Sequence, residues 1–169
     1  MKIELKKLNA LQHAVLPFSE VIDLKDEKMY GRNPFQSPVY VEGEVSNESG
    51  VLRLKGSIKT VYSTECARCL KPLDSPLEAE ADMILSDDPE AEEEDDLFVL
   101  TGDSVDPADV LVPALILQVQ MTYLCKEDCK GLCPHCGADR NVTDCDCDKK
   151  QIDPRFAALR ALLDSDKGE

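Results

Sequence analysis

The residues of this sequence with the clearest chemistry are its eight cysteines. Six of them lie in CKEDCKGLCPHCGADRNVTDCDC, residues 125–147, and the other two lie in CARC, residues 66–69. Thiolates bind zinc or iron and are also the reactive groups of redox proteins. A four-thiolate zinc ion commonly takes two ligands from each of two tight turns. Eight cysteines in closely spaced pairs therefore predict two metal ions.

The pairing of these cysteines is the harder question, because four pairs can be divided between two sites in three ways. Loop-closure entropy favours the division that joins CPHC to CDC, since only eight residues intervene. The predicted ligand sets are then Cys133, Cys136, Cys145 and Cys147 for one Zn²⁺ ion and Cys66, Cys69, Cys125 and Cys129 for the other. A rival division joins the two C-x-x-C turns, as in zinc ribbons and rubredoxins. A single zinc ion with free thiols left over is a third reading.

Closed four-thiolate sites are structural, whereas a catalytic zinc ion keeps one position open and includes histidine or carboxylate among its ligands. Of the two histidines, His13 is isolated and His135 lies between two ligands, where we expect it to face solvent. The sequence also contains no zinc-protease helix motif, phosphate-binding loop or serine–histidine–acid arrangement. It therefore predicts a protein that is not an enzyme. The alternatives are a thiol redox switch or oxidoreductase using Cys66 and Cys69, and rubredoxin-like iron electron transfer.

Basic side chains accompany the cysteines. They either neutralise the thiolates or contact RNA phosphates or a partner protein, and both readings are open. The residues concerned are Arg68, Lys71, Lys126, Lys130 and Arg140.

The charge of the whole chain is strongly acidic but unevenly distributed. The formal net charge of its 169 residues is −15, and residues 74–109 carry fifteen acids without a lysine or arginine. Within them, DDPEAEEEDD predicts a solvated acidic loop at 86–97. The first ten residues, MKIELKKLNA, lack the features of a targeting segment, and no apolar run reaches membrane-spanning length. We therefore expect a cytoplasmic protein, in a compartment where disulfides are rare.

The clearest structural pattern is VYVEGEVSNESGVLRLKGSIKTVY, residues 39–62, which predicts a β-hairpin. A four-residue loop, 47–50, would place Val45 opposite Leu52. It would also place Glu44 opposite Arg53 and Glu42 opposite Lys55, leaving two of the three nearby bases with acidic partners. The alternating run LEAEADMIL, residues 77–85, predicts a further strand of the same sheet.

The predicted fold is a single α+β domain, an antiparallel sheet or partly open barrel with two short helices and a cysteine-rich zinc module. Residues 1–105 form a mainly β core, and a helical connection follows at 106–124. The cysteine-rich module occupies 125–148, and a C-terminal helix occupies 152–164. Both helices begin with Asp-Pro, which supplies an N-cap and a residue without a backbone N–H. Pro113 must kink the first helix or mark a later start, near Asp109.

Three motifs together carry a resemblance to a known family. CARCLKPL, then CKEDCKGLCPHCGADRN with CDC after it, and finally IDPRFAALRALL resemble the YceD family, the large ribosomal RNA subunit accumulation proteins. The GADRN stretch departs from the Asn-Leu-Asn that is more usual there. The resemblance covers most of the chain.

The resemblance implies an accessory factor of ribosome biogenesis, needed for rRNA accumulation and without enzymatic activity. Its partner would be a ribosomal RNA precursor or a large-subunit ribosomal protein. An acidic protein binds bare RNA weakly, because phosphate contacts require a concentrated basic surface. A basic ribosomal protein would instead be attracted to the acidic segment. We therefore favour a protein partner, or an RNA contact that is made only within an assembly intermediate.

Overall fold

A five-stranded sheet forms most of the chain in this computed structural model, which describes residues 1–9, 13–88 and 96–147. Its strand order is β2-β3-β4-β5-β6, and β1 pairs with β7 in a separate two-stranded sheet. The prediction of a mainly β protein is confirmed. The elements are β1 (Ile3–Glu4), α1 (Lys6–Asn9), β2 (Val15–Ile22), β3 (Val39–Glu48), β4 (Val51–Glu65), β5 (Pro72–Ser86), β6 (Leu97–Val99), β7 (Ser104–Val105) and α2 (Pro107–Leu117).

One face of the sheet carries the apolar residues that the alternating patterns predicted. Val41 of β3, Leu54 and Ile58 of β4 and Leu77 of β5 are all buried. Successive side chains of a strand point to opposite faces, so these residues line a single core and the charged residues between them face solvent. Helix α2 covers the apolar face and contributes Leu111, which is fully buried.

The hairpin of β3 and β4 forms with a register different from the predicted one. The connection is the two-residue turn Ser49-Gly50, with φ of 58° and 96°, and Val45 lies opposite Leu54. Positive φ at both central residues is typical of a type I′ turn, which suits the twist of the strands. The side-chain oxygen of Asn47 accepts a hydrogen bond from the N–H of Gly50 at 2.8 Å. The tighter turn shifts each pairing by two residues but leaves the apolar residues on the predicted face.

The charged residues of β4 consequently have different partners from those predicted. Arg53 donates two hydrogen bonds to the carboxylate of Asp82 on β5, and Nζ of Lys55 lies 3.7 Å from the same carboxylate. Lys59 lies 3.9 Å from Glu78, also on β5. All three bases of this strand are therefore balanced by acids of the next strand, so they do not form a free basic stripe.

The prediction of an entirely antiparallel sheet is wrong at one edge. Strands β2 to β5 are antiparallel, but β6 runs parallel to β5, with Leu97 opposite Ile84. The alternating pattern of a strand contains no information on its direction, so the parallel pairing of β6 could not be predicted from it. The acidic loop predicted at 86–97 lies mostly outside the described residues. Of its charged residues, the structure describes only Asp87, Asp88 and Asp96.

Helix α2 begins at Pro107 and contains Pro113 on an exposed position, so of the two alternatives for Pro113 the later start near Asp109 is excluded. The carboxylate of Asp106 accepts a hydrogen bond from the N–H of Ala108 at 3.1 Å, as the Asp-Pro pattern indicated.

No helix within the described ranges is long and apolar enough to cross a bilayer.

The helical connection was predicted to reach residue 124, but α2 ends at Leu117. Beyond it, Tyr123 stacks on Tyr62 of β4, with ring centroids 5.3 Å apart, and its hydroxyl accepts a hydrogen bond from the N–H of Gln120. This aromatic contact holds residues 118–124 in a non-helical path. The C-terminal helix predicted at 152–164 lies outside the described residues.

The contacts within the chain divide it into two units. The first comprises Met1–Ala67 and Lys71–Cys125 and contains both sheets and helix α2. The second comprises Arg68–Leu70 and Lys126–Glu169, and its described part contains most of the cysteine-rich segment.

Gly43 and Gly56 face each other on β3 and β4, beneath the buried ring of Phe18. A Cβ atom at Gly43 would lie 2.2 Å from the carbonyl oxygen of Lys55 and 2.7 Å from Cζ of Phe18. We expect Gly43→Ala to lower the free energy of unfolding by about 1–3 kcal/mol, because the strands must separate. Chemical denaturation measures this change.

The matched control is Gly102→Ala, since no atom lies within 4 Å of a Cβ at that position. Equal stability of the two variants would show that the close approach of β3 and β4 at Gly43 contributes nothing to the free energy of unfolding.

Candidate metal centre

Cys66 and Cys125 belong to the first unit, where backbone hydrogen bonds hold the segments that carry them. The N–H of Cys66 donates to the carbonyl of Lys71 at 2.8 Å and closes the turn that follows β4. The N–H of Ala67 donates to the carbonyl of Tyr123 at 2.9 Å. Because Tyr123 is also stacked on Tyr62, the residues before Cys125 are fixed beside the end of β4.

Cys69 and Cys129 belong to the second unit, where Arg68 connects their segments. Its guanidinium donates to the carbonyl of Cys129 at 2.8 Å, and its own carbonyl accepts a hydrogen bond from the N–H of Leu132 at 3.0 Å. A Cβ at Gly131 would lie 2.9 Å from that same carbonyl of Arg68, so glycine permits the close approach. Gly131 also has a φ of 69°, which L-residues rarely adopt.

The first predicted group of four thiols is assembled in the structure. The sulfur atoms of Cys66, Cys69, Cys125 and Cys129 all lie within 4.8 Å of one another. Tetrahedral zinc with bonds of about 2.3 Å places its sulfur ligands about 3.8 Å apart, so a small contraction would suffice. Three of the four cysteines are buried, and only Cys125 is half-exposed. The donor set fits a closed, structural metal ion.

The second predicted group is also assembled, and its four sulfurs, of Cys133, Cys136, Cys145 and Cys147, again lie within 4.8 Å of one another. The CPHCG turn is held by a hydrogen bond from the N–H of Gly137 to the carbonyl of Cys133 at 2.9 Å. Cys136 is exposed, so this group is more accessible to solvent than the first. The predicted grouping of the cysteines is confirmed, and zinc as the bound ion stays a prediction.

The two C-x-x-C turns share a backbone conformation although only one contains glycine. The residue after the second cysteine has positive φ in both, 59° at Leu70 and 73° at Gly137. A leucine there costs about 1–2 kcal/mol more than glycine would. The turn at Cys69 therefore carries strain that its surrounding contacts must offset, among them the hydrogen bond from the N–H of Leu132 to the carbonyl of Arg68.

The second group strongly perturbs its own thiols. The N–H groups of Cys136 and His135 donate to the sulfur of Cys133 and lower the pKa of its thiol to about 6. Hydrogen bonds with Cys136 and Cys133 raise the pKa of the Cys147 thiol to about 12, and the hydrogen bond with Cys133 raises the pKa of Cys145. Several thiolates confined to one small volume repel each other, so without a cation some stay protonated.

The five basic residues named from the sequence have different environments. Arg68 is engaged with backbone carbonyls, and Lys126 lies 3.7 Å from Asp128. Within residues 1–9, 13–88 and 96–147, no carboxylate lies within 4 Å of the charged groups of Lys71, Lys130 or Arg140. Whether any of the five contacts RNA or a protein stays a prediction. His13 and His135 belong to neither four-sulfur group.

Asn141 is a site residue that the sequence analysis missed. Its Nδ2 lies 3.4 Å from the sulfur of Cys129, and its Oδ1 accepts a hydrogen bond from the N–H of Lys130 at 2.9 Å. It ends the GADRN stretch, whose departure from the more usual residues had pointed only to a surface turn. No spacing rule links an asparagine to a cysteine twelve residues earlier.

We predict two zinc ions per chain, one of which depends on Cys66. In Cys66→Ser, the buried group loses a thiolate and releases its ion, whereas the second group keeps all four ligands. Elemental analysis after dialysis against a weak chelator should find about one zinc ion per chain in this variant, and in Cys145→Ser as well. Loss of both ions in Cys66→Ser would contradict two separate sites.

Zinc affinity at the second group should depend steeply on pH. Zn²⁺ binds thiolates, and it must displace the protons that Cys145 and Cys147 hold at neutral pH because their pKa values are raised. Displacing these two protons makes affinity rise by at least about a hundredfold per pH unit between about pH 6 and 8. Chelator competition with Cys66→Ser measures this site alone. An affinity that does not change with pH would exclude protonated thiols there.

Sequence comparison with known proteins finds several relatives of this chain. The chain is 27% identical over 169 residues to the uncharacterized protein YlbN of Bacillus subtilis, a match that spans 98% of each chain. It is 28% identical over 150 residues to the chloroplastic large ribosomal RNA subunit accumulation protein YCED homolog 1 of Zea mays. That match spans 69% of this chain but only 51% of the maize protein. An uncharacterized protein of Mycobacterium tuberculosis is 30% identical over 122 residues, which are 70% of this chain and 58% of that protein.

No solved structure matches the chain. The profile of the family described as large ribosomal RNA subunit accumulation protein YceD matches residues 54–163. The matched range contains all eight cysteines, and therefore both four-sulfur groups. The chain thus belongs to the YceD family, as its cysteine motifs and its DPRF segment indicated.

Proposed function

We propose that this protein is a non-enzymatic, zinc-stabilised accessory factor of large ribosomal subunit assembly, needed for the accumulation of large-subunit ribosomal RNA. The observation that carries the proposal is the pair of four-sulfur groups within the range shared with the YceD family. In this account the protein acts in the cytoplasm and binds assembly intermediates, and the metal ions keep its binding surface folded.

The donor sets support a structural role for the metal. Each group contains four thiols and neither histidine, so a bound zinc ion would have no open position for water or substrate. The metal would instead supply folding free energy to the cysteine-rich segment, where zinc binding is commonly worth about 10–16 kcal/mol in small domains.

A thiol redox switch or oxidoreductase using Cys66 and Cys69 is less well supported. The relative exposure of these residues is 0% and 9%, and reactive cysteines are partly exposed in electropositive surroundings. Both also belong to a group of four sulfurs, whereas a dithiol enzyme needs only two. Their burial favours metal ligation over exchange with a substrate disulfide.

Electrostatics favour a basic protein as the partner. The bases of β4 are already balanced by Asp82 and Glu78, and no base of the described chain lies within 4 Å of the carboxylates of Glu42, Glu44 or Glu80. Two four-thiolate zinc ions would add further negative charge. A basic large-subunit ribosomal protein would be attracted to such a surface, whereas RNA phosphates would be repelled. A ribosomal RNA precursor is the other partner that this function allows.

Depletion of the protein in its native host tests the proposal. We expect free large subunits and large-subunit rRNA to fall relative to small-subunit rRNA, because assembly intermediates without the factor are degraded. Sucrose gradients and quantification of both rRNAs measure this. Wild-type protein should restore the ratio, and Cys66→Ser, which loses one metal ligand, should not.

Val142→Ala is the matched control for complementation, since Val142 is 82% exposed and belongs to neither sulfur group. A normal ratio of the two rRNAs after depletion would refute the assembly role. Full rescue by Cys66→Ser at wild-type protein levels would show that the role does not require the first metal site.

A further inference from the structure

We propose that Asn141 links the two four-cysteine groups, so that loading the second group strengthens metal binding at the first. The inference rests on the proposed metal sites and adds a positioning residue that the cysteine motifs do not identify. Asn141 follows the CPHC turn of the second group, yet its side chain contacts Cys129, a ligand of the first.

The contacts fix which way the Asn141 amide points. Its Oδ1 accepts a hydrogen bond from the N–H of Lys130 at 2.9 Å, so this end must be the oxygen. Its Nδ2 donates to the carboxylate of Asp139 at 2.7 Å and to the sulfur of Cys129 at 3.4 Å. A thiolate that accepts an amide hydrogen bond is stabilised in its charged, metal-binding form.

The position of Asn141 depends in turn on the turn that carries the second group. The N–H of Cys133 donates to the carbonyl of Ala138 at 2.8 Å, and the carboxylate of Asp139 accepts a hydrogen bond from the N–H of Asn141 at 2.9 Å. The N–H of Arg140 donates to the carbonyl of Gly131 at 3.0 Å. Residues 138–141 are thus held between the CPHC turn and the segment after Cys129.

This arrangement has a thermodynamic consequence. A metal ion that orders the CPHC turn also orders residues 138–141 and presents the amide of Asn141 to Cys129. The conformational entropy of residues 138–141 is then already lost before the first group binds its ion. The first group therefore binds its ion more tightly. By linkage, the first ion strengthens binding of the second by the same factor.

Two variants remove the amide donor: Asn141→Ala adds no charge, whereas Asn141→Asp keeps an acceptor for the N–H of Lys130 but adds a carboxylate beside Cys129 and Asp139. Neither variant has a side-chain N–H to donate to Cys129. We expect zinc affinity at the first group to fall about tenfold or more, as is common when a partner of a metal ligand is removed. Chelator competition measures this in full-length protein, with Val142→Ala as the neighbouring control.

A spectroscopic measurement separates donation to sulfur from a merely structural role. With Co²⁺ in place of zinc, removing a hydrogen bond from a thiolate raises the energy of its electrons. The thiolate-to-cobalt charge-transfer band should therefore shift to longer wavelength in Asn141→Asp and in Asn141→Ala. Unchanged band position and affinity in both variants would overturn the proposal.

A double-mutant cycle tests the link itself. Replacing Cys133 and Cys136 by serine should weaken zinc binding at the first group in the wild-type background, but by a smaller factor in the Asn141→Ala background. Equal factors in the two backgrounds would show that Asn141 does not carry the coupling. Failure of the wild-type chain to bind two ions would instead refute the metal sites on which this inference rests.

Discussion

Mutual repulsion among confined thiolates is the constraint on which the cysteine-rich segment depends. Four sulfurs within 4.8 Å of one another cannot all ionise in the absence of a cation, and hydrogen bonds with Cys136 and Cys133, with repulsion as a smaller cause, raise the pKa of Cys147 to about 12. A divalent metal ion turns this repulsion into attraction and connects segments that have little apolar surface of their own. Folding of this segment and its binding of metal ions are therefore thermodynamically coupled.

Contacts outside the sulfur groups position the segments that carry the thiols. The long strands β4 and β5 end at the turn that contains Cys66, and the Tyr62–Tyr123 stack brings the residues before Cys125 to the same place. Within the second unit, Arg68 and Gly131 hold the segments of Cys69 and Cys129 against each other. Such positioning reduces the entropy lost on metal binding, because the four ligands need not be collected from a disordered chain.

Patterns over a few neighbouring residues predicted which side chains are buried and which cysteines lie together. Alternation placed Leu54 and Ile58 in the core, and the short separation of CPHC from CDC gave the grouping of the sulfurs. What could not be predicted depends on distant contacts. The stack of Tyr123 on Tyr62 ends the helical path early, and an unusual positive φ at Ser49 sets the hairpin register. Likewise, the hydrogen bond from Asn141 to Cys129 exists only once the cysteine-rich segment has folded.

Zinc-edge X-ray absorption, combined with elemental analysis of the same sample purified with its own metal, tests the central claim most directly, because together they report the element, its number per chain and its ligands. Two closed four-thiolate sites predict two zinc ions per chain, each with four sulfur neighbours at about 2.3 Å and no nitrogen or oxygen neighbour. A spectrum that requires nitrogen or oxygen ligands, or a protein that carries iron or a single zinc ion, would contradict the account.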